Sequence, residues 1–532
     1  MNMTRLLVVM GLALSATGCG GGGGGDGNGG GGGGGGGQST WTPGVFQPST
    51  NFRNRCVSPR SGTNPATGQP YPDVTGTVTD QNNWLRSWTN ELYLWYSEVS
   101  DIDPALYSTS DYFDRMKTTA VTASGRPKDR FHFTYPTPVW LSLSRQGQQV
   151  SYGLSFGLLA TQPPRRAVVT LVEPNPPAAT ASSGIARGAE ILTVDGVDLV
   201  NVNTQAGVDT LNAGMFPDTA GESHTFGIRD VGSSTTRNIT LVAANFTTSP
   251  VQNVRTISTS TGLVGYMLFN DHLATAEGAL FNAVTQLKNA GITDLIVDIR
   301  YNGGGFGVVA SELAYMIAGP TQTAGRTFET IQFNSKHTTT NPVTGQALSP
   351  APFATTTQGL HSSMAAGQSL PTLNLPRVFV LTGANTCSAS ELLMNGLRGV
   401  DVQVIQIGST TCGKPYGFYD FDNCGTTYFS IQLRSVNAKG FGDYQDGFAA
   451  ANSISSVGSV SVPGCSVADD FTHELGDEAE GRLAAALFYR QNASCAGPAT
   501  AMARPFSAAS PTEEHDVIVP KTPWLENVIR ER

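Results

Sequence analysis

The stretch LTGANTCSASELLMNGLRGVDVQVIQIGSTTCGK, Leu381–Lys414, decides the reading of this chain. A strand-forming run, Arg377–Leu381, ends in a turn of small residues that carries Ser388, and Ser390–Leu397 then reads as a helix. Backbone N–H groups at a helix start have no intrahelical partner, so a serine at this junction sits beside donors suited to a developing oxyanion. One buried-looking strand later, Val402–Ile407, comes Lys414 in a Gly-Lys-Pro turn. Ser388 is therefore the candidate nucleophile and Lys414 its candidate general base. A serine hydroxyl needs a base within hydrogen-bond reach, and a lysine serves when burial lowers its pKa from about 10.4 toward neutrality. No acidic residue flanks Lys414 directly.

Upstream, strand and helix signals alternate. Leu263–Phe269 reads as a strand, and Ala274–Ala290 as an amphipathic helix with Leu280, Phe281, Val284 and Leu287 on one face, stopped by Gly291. Leu295–Ile299 reads as a buried strand and runs into Asp298-Ile299-Arg300-Tyr301-Asn302-Gly303-Gly304-Gly305, followed by a helical run over Val308–Ile317. Strand, glycine turn and helix expose backbone N–H groups to an anion. A phosphate loop does not fit, because no Gly-Lys-Ser/Thr follows. Oxyanion stabilisation does, since glycine lets the backbone approach a reacting carbonyl. Downstream, Thr426–Val436 reads as a strand and Glu474–Arg490 as a helix. The long polar segment Gly319–Leu375 carries strands of its own or covers the site.

Between 150 and 245 the pattern becomes short strands and turns. Gly153-Leu154-Ser155-Phe156 and the later Gly184-Ile185-Ala186-Arg187-Gly188-Ala189-Glu190-Ile191-Leu192-Thr193-Val194-Asp195-Gly196 resemble the carboxylate-binding loop and the helix-turn-strand signature of PDZ domains. That likeness implies that Gly153, Leu154, Ser155 and Phe156 bind a substrate C-terminus, the peptide adding as a strand to a sheet edge. GLSFG also fits a nucleophile elbow with Ser155 as the serine. The elbow needs a helix next, and Pro163, Pro164 and a β-rich run follow instead. Before this region, Trp84, Leu85, Trp88, Leu92, Trp95 and Tyr96 recur at helical spacing, and Ser110–Lys117 reads as a second helix capped by Ser110. These suggest a small N-terminal helical domain over 80–145.

Four ordered segments carry a family resemblance. Thr382-Gly383 with Cys387-Ser388-Ala389-Ser390-Glu391-Leu392-Leu393 resembles the nucleophile segment of the carboxy-terminal processing (tail-specific) serine peptidases. Gly408-Ser409-Thr410-Thr411-Cys412-Gly413-Lys414 resembles their lysine segment, Asp298–Gly305 their oxyanion glycine stretch, and the PDZ-like module stands in the matching order. The resemblance spans about Val150–Phe418, and the helical region Trp84–Phe133 resembles the N-terminal part of an exported, lipoprotein branch of the same family. The resemblance implies a multidomain α/β fold: a Clp protease/crotonase-like α/β core over 255–492, an inserted PDZ-like β-rich domain over 150–245, and the small helical domain. It further implies Ser388 as nucleophile, Lys414 as general base, and an oxyanion hole from the Ala389 N–H with Gly303 or Gly304. The reaction implied is peptide hydrolysis through an acyl-enzyme, with no metal or cofactor, on protein or peptide substrates with exposed C-termini. There are departures from the family pattern. Phe418 stands where the family has Gln, Pro415 follows the lysine in place of Gly, and the serine-to-lysine spacing of 26 is one longer. The missing Gln gives an alternative: a catalytically weak or inactive relative that binds peptides at the envelope. Some relatives use a histidine base, but Asp469, Asp470 and His473 read as helix-start and surface residues.

The N-terminus and composition fit export. Met1–Gly18 has the short apolar core of a signal peptide, and Ala-Thr-Gly-Cys resembles a lipobox with Cys19 as the lipidated residue. Residues 20–37 are almost pure glycine, a tether reaching roughly 25 Å, and 19–79 forms tether and linker. The expected location is the bacterial cell envelope, held to the membrane through the lipid anchor. A net charge of −9 speaks against an extended nucleic-acid surface. The six other cysteines permit three bridges. Proximity in sequence favours Cys412 with Cys424 and Cys465 with Cys495, leaving Cys387 for Cys56 or free. Residues 493–532 read as a polar C-terminal tail.

Overall fold

The computed structural model describes residues 41–65, 67–160, 162–453 and 457–496, together with the backbone of Val528–Ile529. The signal peptide, Cys19 and the glycine tract lie outside the described residues, as does most of the tail. Among the described residues no helix is long and apolar enough to cross a membrane.

The centre of the molecule is a six-stranded sheet in the order Val251–Thr259, Gly262–Phe269, Asp294–Asp298, Arg377–Thr382, Gln403–Gly408, Gly464–Cys465. The first pair is antiparallel and every later pair parallel. Parallel strands need both faces covered, so the middles of these strands are mostly apolar, with polar residues such as Asp294, Asp298 and Gln406 buried among them. Alternation divides them. Leu295, Val297, Val378 and Val380 join one core, and Ile296, Phe379, Leu381, Ile405 and Ile407 join the other.

Nine α-helices are described, α1 Val78–Leu92, α2 Thr109–Arg115, α3 Thr137–Gln146, α4 Ala178–Ser183, α5 Gln205–Met215, α6 Ala276–Ala290, α7 Gly307–Thr323, α8 Ala389–Gly399 and α9 Gly481–Asn492. α6, α7 and α8 cover the first face of the central sheet; α9 covers the second with Leu483 and Ala486. α7 breaks at Gly319, whose φ of 75° leaves the helix and where a Cβ would lie 1.9 Å from Asn374 Oδ1. α9 starts later than its sequence suggests, because the carboxylate of Glu480 caps it by accepting from the Leu483 N–H.

A second six-stranded sheet runs in the order Gly305–Phe306, Val528–Ile529, Tyr416–Phe418, Leu433–Val436, Thr327–Phe333, Ala351–Pro352. The long segment after α7 thus contributes two strands to it. Residues 154–242 form a separate sheet with its own apolar core and with α4 and α5. Leu154–Ala160 is an edge strand there, paired only with Arg166–Val172. The strand runs on past Ser155 with a register shift between Ser155 and Phe156, and no helix follows, so no elbow forms.

The N-terminal helices do not close a core of their own, as the helical periodicity had suggested. Trp84 and Trp88 stack at 5.1 Å and meet Tyr428 and Phe421 of the hairpin Phe421–Asn423/Thr426–Phe429. Phe333 and Leu433 of the second sheet join the same cluster. The aromatic stripe is core, shared with the C-terminal half. α2 is capped by Ser108, two residues before the expected Ser110.

The disulfides keep one expected pairing and correct the assignments of the other four cysteines. Cys465 bonds Cys495, but Cys412 bonds Cys387 and Cys424 bonds Cys56. Cys424 occupies a left-handed turn position at the tip of its hairpin, where it meets the short strand Arg55–Cys56. Sequence proximity misleads here because the sheet brings the Ser388 and Lys414 loops side by side.

Candidate active site

Three adjacent parallel strands release their chains at the same edge of the sheet. Asp298 leads into the glycine turn, Thr382 into the Ser388 turn and Gly408 into the Lys414 loop. Ligands of open α/β sheets collect outside such carboxyl ends.

Ser388 precedes α8 with φ 58° and ψ −110°, a backbone state that a residue with a Cβ enters only under constraint, at a cost of roughly 1–3 kcal/mol. It is fully buried, and its Oγ has no hydrogen-bond partner. The constraint is visible around it. Its own N–H donates to Glu391 Oε2 at 3.1 Å, and the Cys387 N–H donates to Asn302 O at 3.1 Å. On the other side stands Gly304, at φ 108°; a Cβ there would lie 2.8 Å from Ser388 Cβ and 2.9 Å from Ala389 N. Only glycine fits this approach.

Lys414 is fully buried as well. Its Nζ lies 4.8 Å from the ring centroids of both Phe131 and Phe418, so the residue in the Gln position forms one wall of an aromatic enclosure. Arg130, beside Phe131, donates to the Cys412 carbonyl, which closes the loop from the N-terminal side. Ser388 Oγ and Lys414 Nζ do not hydrogen-bond in this state.

Glu391 joins the two segments. Its carboxylate accepts from the Thr411 hydroxyl and from the Gly413, Lys414 and Ser388 N–H groups. Four donors match the acceptor capacity of an ionised carboxylate. Burial pushes the Glu391 carboxyl up, and these hydrogen bonds work against that shift. The disulfide Cys387–Cys412 ties the same two segments covalently, with Cα atoms 5.1 Å apart.

The glycine turn has its own support. Asn302 Oδ1 accepts from the Gly304 N–H at 3.0 Å and lies 3.0 Å from His272 Nδ1; Asn302 Nδ2 donates to Phe269 O. His272 is fully buried, and burial pushes its pKa down to about 3, so its imidazole is neutral. Below the turn lies an ion network. Arg300 is fully buried and donates to Asp298, Glu480 and Asp469 at 2.7–2.9 Å. Asp469 also takes Arg187 Nη2 at 2.8 Å and the Tyr301 hydroxyl. Burial alone would raise the Asp469 carboxyl; Arg482, Arg300 and Arg187 together hold it well below the usual range. Asp469 is thus the centre of a buried network and not a surface residue. Asp470 and His473 do pair at 2.7 Å on the outside.

At Gly153–Phe156 the φ of 72° at Gly153 turns the chain against Pro176 and Pro177. Leu154 and Phe156 point into their own sheet's core, with Phe156 stacked on Phe226. The backbone of this edge is therefore what a ligand can meet.

Ser388, Lys414, Ala389, Gly303 and Gly304 are brought to one place; Gly153–Phe156 belongs to the separate sheet. Sequence reasoning gave no role to Glu391, Asn302, His272 and Phe131, and set Asp469 aside as a helix-start and surface residue. The Ser388-x-x-Glu391 spacing is that of a capping box and offered a signal for the first; the others had none.

Residues 261–417 match the profile of Peptidase family S41. The chain carries a Peptidase family S41 domain. It is 24% identical over 275 residues to the carboxyl-terminal-processing protease of Picosynechococcus sp. (strain ATCC 27264 / PCC 7002 / PR-6), covering 52% of this chain and 56% of that protein. The chain thus spans little more than half the length of this curated relative. A solved chain from Bacteroides fragilis NCTC 9343 assigned to the S41 proteases superposes with a TM-score of 0.55 at 20% identity, over 80% of this chain and 98% of that one. A photosystem II D1 C-terminal processing protease aligns at 17% identity and a TM-score of 0.41, over 73% and 94%.

Proposed function

We propose that this protein is a serine endopeptidase that hydrolyses peptide bonds by a Ser388–Lys414 dyad. The observation that carries the reading is the buried, unpartnered Ser388 Oγ, held at a strained backbone position beside a helix start and locked to Lys414 through Glu391. A group that costs this much to bury unpaired has a use for its free hydroxyl.

In the mechanism, neutral Lys414 Nζ takes the Ser388 proton as Oγ attacks the carbonyl carbon of the scissile bond. The oxyanion is received by the Ala389 N–H and, on the facing side, by the Gly303 N–H, since the Gly304 N–H is spent on Asn302. Lys414 then gives the proton to the leaving amine, and water resolves the acyl-enzyme by the reverse path. The required closure of Oγ on Nζ is a tightening on substrate binding.

An extended substrate is supported by the second sheet, where the strands on either side of the site take a third between them. Recognition of C-terminal tails by the PDZ-like module is part of the proposal, supported by the open edge Leu154–Ala160 and the turn at Gly153. So is attachment to the cell envelope through Cys19, which rests on the residues alone. The test is proteolysis of an unfolded protein ending in an apolar tail. The parent chain should degrade it, while Ser388→Ala and Lys414→Ala, folded by circular dichroism, should not. Equal degradation by all three would discard the dyad, and none by any of them would favour the peptide-binding alternative.

A further inference from the structure

The two strands that leave the site leave a gap of one strand between them. Gly305–Phe306 follows Gly304 directly, and Tyr416–Phe418 begins two residues after Lys414. Each is hydrogen-bonded on its outer side, the first to His272 and the second to Leu433–Val436. With adjacent strands spaced about 4.8 Å, the inner edges stand about 9.6 Å apart. Two facing edges of this kind are unpaired backbone and a ready template for an added strand.

In this structure the added strand is the chain's own Val528–Ile529. Val528 pairs with Gly305 on one side and Gly417 on the other, and Ile529 with Phe306 and Phe418. All three strands are parallel. Both walls begin at the site and run away from it, so Val528 stands at the end near Ser388 and Ile529 further out. The pairing is made by backbone groups and completes the sheet.

We propose that Val528–Ile529 acts as a tethered peptide ligand that fills the groove beside Ser388 and competes there with substrates. The inference rests on the peptidase reading for its consequence, though not for the docking itself. One slot admits one strand, so a substrate entering between Gly305–Phe306 and Tyr416–Phe418 must first displace the resident segment. Regulation then follows from sequestration: whatever binds or cleaves the segment opens the groove.

The experiment uses the full chain and the double variant Val528→Pro/Ile529→Pro, which removes two backbone donors and bars strand pairing. Hydrogen exchange by mass spectrometry over 303–307 and 415–420 reads the docking, and cleavage of a fluorogenic peptide reads its consequence. The variant should exchange faster in both segments, and a synthetic peptide of residues 521–532 added to it should restore protection. Its kcat/KM should rise on the order of tenfold, as expected when a tethered ligand at about 1 mM effective concentration leaves a site of about 0.1 mM affinity. Unchanged exchange would overturn the docking, whatever the activity. Faster exchange without a gain in kcat/KM in an active enzyme would overturn the competition. Faster exchange with no hydrolysis by either chain would uphold the docking and reject the peptidase reading. Protection that depends on protein concentration would assign the strand to a second copy and overturn the tethered form.

Discussion

Ser388 and Lys414 donate their backbone N–H groups to the same oxygen, Glu391 Oε2, at 3.1 and 2.7 Å. One buried carboxylate therefore sets the distance between the two segments that carry the proposed chemistry. Glu391→Gln retains the volume but leaves one acceptor oxygen for four donors. Misplacement of the reacting groups by about 1 Å costs on the order of 100-fold. The variant should lose about 10–100-fold in kcat with KM nearly unchanged, measured by steady-state peptide hydrolysis. A shift confined to KM would place Glu391 in substrate binding instead.

The disulfides supply an internal control. Cys387–Cys412 and Cys465–Cys495 close loops of 25 and 30 residues, so the chain-entropy account gives each a similar stabilisation, roughly 3 kcal/mol. Only the first adjoins Ser388. Paired alanine substitutions should lower the unfolding midpoint by similar amounts, while only Cys387→Ala/Cys412→Ala should lower kcat, about tenfold or more. Equal effects on turnover would reduce the first bridge to a stabilising role.

Arg300 tests the platform under the glycine turn. It has Asp298, Glu480 and Asp469 as partners and no exposure. Removing one member of a buried ionic set strands the others, at about 3–5 kcal/mol. Arg300→Leu should lose that much in urea unfolding, and activity should fall with it as Tyr301 and Asn302 shift. A loss below about 1 kcal/mol would mean that water reaches the network.

Glu173 gives a pH dependence. Its N–H donates to the Gly153 carbonyl, its carboxylate takes the Ser249 N–H, and burial pushes its pKa up to about 7. An acid whose folded value lies above its unfolded value of about 4.3 favours the fold while protonated. That contribution is complete below about pH 4.3 and is lost as pH rises through 7. Glu173→Gln should therefore stabilise the protein by roughly 3 kcal/mol at pH 8 and leave it unchanged at pH 4. Urea titrations at the two pH values decide this, and a gain of equal size at both would refute it.

What the sequence made legible follows from local signals. Strand-turn-helix patterning located Ser388, Ala389 and the Gly303–Gly304 turn because each lies where a short run of residues determines its own backbone. Lys414 was legible through its segment, not through its surroundings. Its enclosure by Phe131 comes from a residue almost three hundred positions away, and no periodicity reports a contact of that kind. The same holds for Cys56–Cys424, set by sheet topology over a separation of 368, and for Asp469, whose acidic, helix-adjacent setting gives no hint of three arginines arriving from elsewhere. The N-terminal helices were read correctly as amphipathic and wrongly as a domain, since an apolar stripe does not say what it packs against.

The central claim is that Ser388 is a nucleophile activated by Lys414, and covalent capture tests it most directly. The full chain is treated with a fluorophosphonate serine probe and digested, and the adduct is located by mass spectrometry. A single adduct on Ser388, absent from Ser388→Ala and strongly reduced in Lys414→Ala, is the predicted result. An adduct at another serine such as Ser155, or none on a folded protein, would contradict it.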